Sequence, residues 1–345
     1  MKIAIEANVL CMAPTGVAKS LIYLINNVHK ICPSLEFILF SNKPVSYSFD
    51  FPTTNIVYKN SKLGRMLLKY KLRNCDWVHY HWNGGIVSSI KKHKNIVMIH
   101  DVLPLDIPDF FPSQHALKKY KEKLQKDINE ADILLTPSVY SKNKICDNFL
   151  INCGIFVLKH GLTAMPILQN KDKSDYYIYA GGYHPRKGLI PLLEEFVYKC
   201  PHRKLHFVGE IQYFSSDFKR LVNIAEKQNI LVQHGYVDEK TLANLISNAR
   251  ALIYPSKYEG FGLPPLEAMQ LGTPVFTTKY TSIPEVCGDA AIYFEPDCPG
   301  DLTRCLDAFE SSNSSDMIER GYAVVKNFDW VKTANDYLDI LKNYK

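Results

Sequence analysis

The chain has 345 residues, 46% of them hydrophobic and 22% charged, with a formal net charge of +6. That is the composition of a soluble globular protein, and no apolar run is long enough to span a bilayer, which excludes an integral helical membrane protein. Nine cysteines lie scattered without a CxxC pair or zinc spacing, so they read as reduced, partly buried thiols in a cytoplasmic protein.

Met1-Lys2-Ile3-Ala4-Ile5 runs straight into a strand pattern, with no signal-peptide layout, and a cytoplasmic location is expected. The first strand covers Ile3–Ala7. After it, Pro14-Thr15-Gly16-Val17-Ala18 resembles a glycine turn feeding a helix over Gly16–Lys30. It is not G-x-G-x-x-G, but its small residues would let backbone N–H groups approach a phosphate. A strand at Phe37–Phe40 follows. Lys59, Lys62, Arg65, Lys69, Lys71 and Arg73 cluster with Leu63, Met66, Leu67 and Leu68, and residues 61–73 can form a basic amphipathic helix. Such a helix is either a solvated basic face or a surface that docks on an anionic bilayer.

Further strands are expected at Trp77–His81, Ile96–His100, Ile133–Thr136 and Ile155–Leu158, with helices at Ser113–Glu130 and Val139–Phe149. The run His79-Tyr80-His81-Trp82 would either line an acceptor site or serve the core. His100-Asp101 ends a very apolar strand, which makes His100 a candidate for a cleft role. The stretch Val102–Pro108 looks like an ordered loop rather than a helix.

A polar stretch, residues 169–175, then interrupts the alternation and reads as a linker after a boundary near residue 163. Residues 1–163 hold 21 Lys and Arg against 12 Asp and Glu, whereas the remainder is slightly acidic. The basic half suggests an acidic partner surface. Strands resume at Tyr176–Ala180, Lys204–Val208, Ile230–Gln233, Ala251–Tyr254 and Val275–Thr277. Alternating strands and helices argue for parallel sheets covered on both faces. We therefore expect an α/β protein with two Rossmann-like domains facing across a cleft, over residues 1–163 and 164–327. The last segment, 328–345, carries an amphipathic helix, Trp330–Leu341, that would return to the first domain. Tyr176, Tyr177 and Tyr179 read as sheet core rather than a base-stacking platform, and no nucleic-acid partner is expected.

Ligands in such sheets bind beyond the carboxyl ends of the strands. Two segments with chemistry fall there. Gly181-Gly182-Tyr183-His184-Pro185-Arg186-Lys187-Gly188 places a guanidinium and an ammonium where they suit a diphosphate. Glu259-Gly-Phe-Gly-Leu-Pro-Pro-Leu-Glu267 sets two carboxylates around a glycine turn and a helix start. Pro264 and Pro265 suit the first helical turn and Gly272 suits its end. A helix start favours an anion, while carboxylates accept hydrogen bonds from hydroxyls. A sugar nucleotide has both parts.

Together these segments resemble the family-four retaining glycosyltransferases of GT-B architecture. The block from Ser256 to Met269 is similar to that family's Glu-x7-Glu block, and Gly272-Thr273-Pro274-Val275 with Ser282–Ala291 continues it. His100-Asp101-Val102-Leu103-Pro104-Leu105 and Pro185-Arg186-Lys187-Gly188 resemble the bacterial mannosyltransferase-like subgroup. The resemblance implies that Arg186 and Lys187 grip the donor diphosphate and stabilise the leaving nucleotide. It implies that Glu259 holds donor-sugar hydroxyls, aided by the N–H groups of Phe261, Gly262 and Leu263. Glu267 would bind the ribose, Gly16 would lie against the diphosphate, His100 would meet the sugar near the reacting carbon, and backbone around Tyr236 and Val237 would read the base. Many relatives carry a second glycine near Val17 or Ala18, which this chain lacks.

The same resemblance implies retention at the anomeric carbon with no metal and no cofactor beyond the nucleotide-sugar donor. Front-face attack is favoured; double displacement through Glu259 is the alternative. The acceptor would be a glycan or a lipid-linked saccharide in surface polysaccharide synthesis, with the protein cytoplasmic or peripheral on the inner face of the membrane. Mannose from GDP-mannose is the favoured donor, ahead of rhamnose or glucose from dTDP- or UDP-sugars. A non-catalytic nucleotide-sugar-binding protein is the reading from a different class.

Overall fold

The computed structural model describes residues 1–11, 15–83, 85–86, 93–108, 112–166 and 173–344. Pro14 of the expected glycine turn and residues 169–172 of the expected linker lie outside the described residues. The chain divides into two compact units. One comprises Met1–Gly161 together with the chain from Asp329 on; the other is Leu162–Phe328.

The first unit is built on a parallel sheet of β1 (Lys2–Glu6), β2 (Glu36–Ser41), β3 (Thr54–Val57), β4 (Trp77–Tyr80), β5 (Lys94–Met98), β6 (Ile133–Thr136) and β7 (Gly154–Val157). Their spatial order is β3-β2-β1-β4-β5-β6-β7. Strand alternation sends Ile3 and Ile5 into one core and Ala4 into another, so both faces are buried. One face is covered by helix Gly16–Ile31 through Leu21, Leu24 and Val28, and by helix Trp330–Asn343 through Trp330, Tyr337 and Leu338. The other face receives Leu68, Leu124, Ile128 and Ile145 from three further helices. Helices start where a side-chain oxygen relieves an orphan N–H: Thr15, Ser61, Ser113 and Ser138 each accept from the residue three positions on.

The second unit repeats the plan with β8 (Tyr177–Ala180), β9 (Leu205–Val208), β10 (Leu231–Gln233), β11 (Ala251–Tyr254), β12 (Val275–Thr277) and β13 (Ile292–Tyr293). The order is β10-β9-β8-β11-β12-β13, all parallel. In each unit the order reverses beside the unit's first strand: at β1/β4 in one, at β8/β11 in the other. These are the two topological switch points where α/β sheets take ligands.

Three local features depart from the sequence expectations. β3 lies at an edge, pairs only with β2, and is largely solvent-exposed, so it carries no apolar periodicity to read. β13 has two residues, too few for a period. The stretch expected as a loop after His100 contains a helical turn, Leu103–Asp106; Pro104 fits its first turn and Asp101 Oδ1 accepts the Leu103 N–H at 3.1 Å.

Candidate active site

At the switch point of the second unit, the loops following β8 and β11 lie side by side because their strands are neighbours. The first loop makes a tight turn, Pro185–Lys187, whose start is capped by His184 Nδ1 accepting the Arg186 N–H. Gly188 follows at φ +66°, and a Cβ there would stand 2.2 Å from the Pro255 carbonyl oxygen. Only glycine allows that approach. It brings Arg186 beside the second loop, where its carbonyl accepts the Lys257 N–H at 2.8 Å.

Glu259 is the focus of this arrangement. Its carboxylate accepts from Lys187 Nζ at 2.5 Å, from Ser256 Oγ at 2.6 Å and from the Tyr254 hydroxyl at 2.8 Å. Arg186 Nη1 stands 3.2 Å from its other oxygen and also donates to the Tyr258 carbonyl at 2.5 Å. The residue is 8% exposed. Burial alone would push the carboxyl up, but the Lys187 ammonium and Arg186 guanidinium outweigh it and hold the group at about 2. Glu259 is therefore a fixed anion at neutral pH, and two cations are already gathered at a sheet end. The loop backbone is also held: Thr281 Oγ1 accepts the Glu259 N–H, and Ser282 Oγ donates to the carbonyls of Glu259 and Phe261.

Gly262, at φ +100°, opens the helix Leu263–Gln270. Because Pro264 and Pro265 have no N–H, the donors of this first turn are those of Gly262 and Leu263. Phe261 is buried against Phe328. Glu267 lies on the same helix, half-buried. Tyr236 is 78% exposed and Val237 half-buried, in the loop after β10.

The remaining predicted residues, Gly16 and His100, belong to the first unit. Gly16 is exposed at the start of its helix, and a Cβ there would meet nothing within 4 Å. His100 lies just past β5 and is buried; its Nε2 is 2.8 Å from the His81 carbonyl, so that nitrogen carries the proton and Nδ1 is the bare one. Burial lowers its pKa to about 4. Around it the rings of His81 and His160 pack within 5.0 and 5.7 Å.

A single consistent tautomer set runs through this cluster. Ser20 Oγ donates to the Val17 carbonyl, so it accepts from His81 Nε2 at 3.0 Å. His81 Nδ1 then accepts from His79 Nε2, and His79 Nδ1 from the Tyr337 hydroxyl at 2.9 Å. The C-terminal helix is thereby wired to the start of the first helix through neutral imidazoles.

The sequence family described as "Glycosyl transferases group 1" matches residues 163–324, a span containing Arg186, Lys187, Glu259 and Glu267. The chain is 28% identical over 287 residues to O-antigen chain mannosyltransferase B of Escherichia coli, covering 76% of this chain and 75% of that one. It is also 28% identical to the O-antigen chain mannosyltransferase RfbU of Salmonella typhimurium, over 70% of this chain and 71% of the relative. Among solved structures, a sucrose-phosphate synthase from Thermosynechococcus elongatus superposes with a TM-score of 0.79 at 15% identity, over 99% and 98% of the two chains. The segment carrying Arg186, Lys187, Glu259 and Glu267 thus matches the group 1 glycosyltransferases, and the fold is of GT-B architecture.

Within this site, several residues around Glu259 were not singled out from sequence. Tyr254 ends a strand that reads simply as apolar, yet its hydroxyl bridges Lys187 and Glu259. Ser256, three residues before Glu259, was the one local hint. Glu6 was missed as well, although a carboxylate closing an otherwise apolar strand is itself a signal.

Proposed function

We propose that this glycosyltransferase moves a mannosyl residue from a nucleotide sugar, with GDP-mannose favoured, to a glycan or lipid-linked saccharide in bacterial surface polysaccharide synthesis, with retention and without a metal. The observation that carries this reading is the convergence of Arg186 and Lys187 on Glu259 at the second switch point. The mannosyltransferase relatives support the sugar.

Arg186 and Lys187 take the donor diphosphate, and their charge offsets the negative charge that grows on the leaving nucleotide. They are aligned beforehand by Glu259, so little reorganisation accompanies catalysis. Glu259 turns its acceptor oxygens to the sugar hydroxyls, with the N–H groups of Phe261, Gly262 and Leu263 beside it. Glu267 takes the ribose hydroxyls, the Tyr236–Val237 backbone the base, Gly16 the diphosphate, and His100 the sugar. The acceptor oxygen bonds to the anomeric carbon on the face from which the phosphate departs. The carbon–phosphate-oxygen bond breaks, and the acceptor proton passes to the leaving phosphate. A carboxylate held at about 2 by two cations is a poor nucleophile, which favours this course over double displacement.

The helix Lys62–Leu72 supports peripheral docking on an anionic bilayer. It buries Gly64, Leu68 and Leu72 but exposes Leu63, Met66, Leu67 and Tyr70 among Lys62, Lys69 and Arg73. No helix among the described residues is long and apolar enough to cross a membrane.

A thermal-shift screen of GDP-, UDP-, dTDP- and ADP-sugars tests the reading. GDP-mannose should raise the melting temperature, and transfer products should show the donor's anomeric configuration by NMR. Absence of both stabilisation and nucleotide release across the panel would overturn it.

A further inference from the structure

The first unit buries two imidazoles where apolar side chains would be simpler. His79 lies in β4 and His81 just past its end. Alternation turns both toward helix Gly16–Ile31 and helix Trp330–Asn343. His79 is 0% exposed and His81 2%. A buried polar ring costs free energy unless its nitrogens are bonded, so packing alone would favour an apolar residue at either position. Here all four ring nitrogens have partners: Ser20 Oγ, the Tyr337 hydroxyl, and each other. A fully satisfied buried network specifies one arrangement of the groups it joins.

The place of His81 in the sheet decides which groups those are. β4 lies between β1 and β5. The chain after β1 enters the helix that opens at Gly16, and the chain after β5 carries His100. His81 bonds to both sides. Its Nε2–H donates to Ser20 Oγ, and Ser20 donates to the Val17 carbonyl at 2.8 Å, in the first turn of that helix. Its carbonyl accepts the His100 Nε2–H at 2.8 Å. Two residues on, Asn83 Oδ1 accepts the His100 N–H at 2.7 Å. Residues 81 and 83 thus grip His100, while the His81 ring pins their backbone to the first helix.

We propose that His81 is a positioning residue for transfer. Its ring keeps its own carbonyl under His100, so that His100 stays in the Nε2–H form with Nδ1 bare, and it holds the Gly16 helix start in register with that side chain. Tyr337 and His79 set the tautomer of His81. The Tyr337 hydroxyl donates to His79 Nδ1, His79 Nε2–H donates to His81 Nδ1, and the His81 proton is left on Nε2 for Ser20. The last helix thereby acts on a sugar contact through two imidazoles. The assignment rests on the parts proposed above for His100 and Gly16 and adds the residues that hold them.

Kinetics of the full chain test it, with the nucleotide sugar that stabilises the parent and with kcat normalised to the donor-binding fraction. 15N NMR of the imidazoles reads the tautomers in the same samples. His81→Leu should lower kcat about tenfold or more. In that variant His100 should show both neutral tautomers, against Nε2–H alone in the parent; a purely packing role would not move this signal. His81→Gln keeps an N–H for Ser20 and should recover most of the loss. Tyr337→Phe keeps the ring of the last helix and loses only its hydroxyl; it should lower kcat about threefold and give His81 mixed tautomers. It carries the test if His81→Leu does not fold. An unchanged kcat in the folded variants, or tautomers that stay single in them, overturns the proposal. A parent that turns over a nucleotide sugar but gives that result loses the positioning assignment only. A parent that neither binds nor turns over any nucleotide sugar loses the function reading and this assignment with it.

Discussion

The ammonium of Lys187 and the carboxylate of Glu259 stand 2.5 Å apart across 72 residues of sequence, and the Tyr254 hydroxyl bonds to both. Neighbouring strands β8 and β11 make this pairing possible, and the Gly188 turn completes it. Lys187→Ala should cut kcat/KM by roughly 100-fold to 1,000-fold, the scale of removing one preorganised transition-state donor. It should cost less stability than Glu259→Ala, because Glu259 keeps Arg186. Glu259→Ala strands a buried ammonium and should cost about 3–5 kcal/mol in urea unfolding.

Glu259 also makes a pH statement. Its folded pKa of about 2 lies below the unfolded value of 4.5. The stability it contributes is therefore complete above pH 4.5 and is lost as the pH falls toward 2. The shift corresponds to about 3 kcal/mol. Glu259→Gln should flatten the decline of the melting temperature in that window, and an unchanged profile would contradict the ion triad.

Gly188→Ala tests the turn rather than the charges. The added methyl would meet the Pro255 carbonyl, and the αL backbone is itself unfavourable for alanine. A loss of about 1–3 kcal/mol is expected. Donor affinity should fall with it, because Arg186 and Lys187 ride on that turn. Circular dichroism melts and donor titration read the two effects separately.

Acid should destabilise the first unit through its histidines. Burial lowers the pKa of His79 and His160 to about 3, that of His100 to about 4, and that of His81 well below 6.5. Groups with depressed pKa values contribute stability above their unfolded pKa, and lose it as the pH falls from 6.5 toward 3. With four such groups the slope approaches about 5 kcal/mol per pH unit. Hydrogen exchange should show amides of β4 and β5 losing protection over that range.

Glu6 behaves with the opposite sign. Its folded pKa is about 7, above the unfolded 4.5, so its favourable contribution is present below pH 4.5 and is lost as the pH rises through 7. Glu6→Gln should raise the melting temperature at pH 8 and leave it nearly unchanged at pH 4.5.

The exposed leucines of the Lys62–Leu72 helix can be probed with vesicles. Leu63→Asp with Leu67→Asp should abolish sedimentation with phosphatidylglycerol liposomes and leave the fold intact, since both side chains are more than half exposed. Salt-insensitive binding by the parent chain, or binding retained by the double variant, would argue against docking by this face.

The sequence by itself determined the alternation of parallel strands and helices, the split near residue 163, and the polar segments at strand ends. These are local properties: apolar runs such as Ile133–Thr136 and Ala251–Tyr254 coincide with their strands residue for residue, because a doubly buried strand must be continuously apolar. Edge strand β3 was illegible because half-exposed strands carry little pattern. Tertiary structure alone decided which polar groups meet. Tyr254 reads as one more apolar residue until β8 is set beside β11, and Glu6 reads as a strand end until the reversal of strand order opens a cavity over it. Strand order is fixed by long-range packing, and no local periodicity encodes it. The balance of burial against nearby cations, which makes one buried glutamate a permanent anion and the other a titrating acid near neutrality, follows from that order.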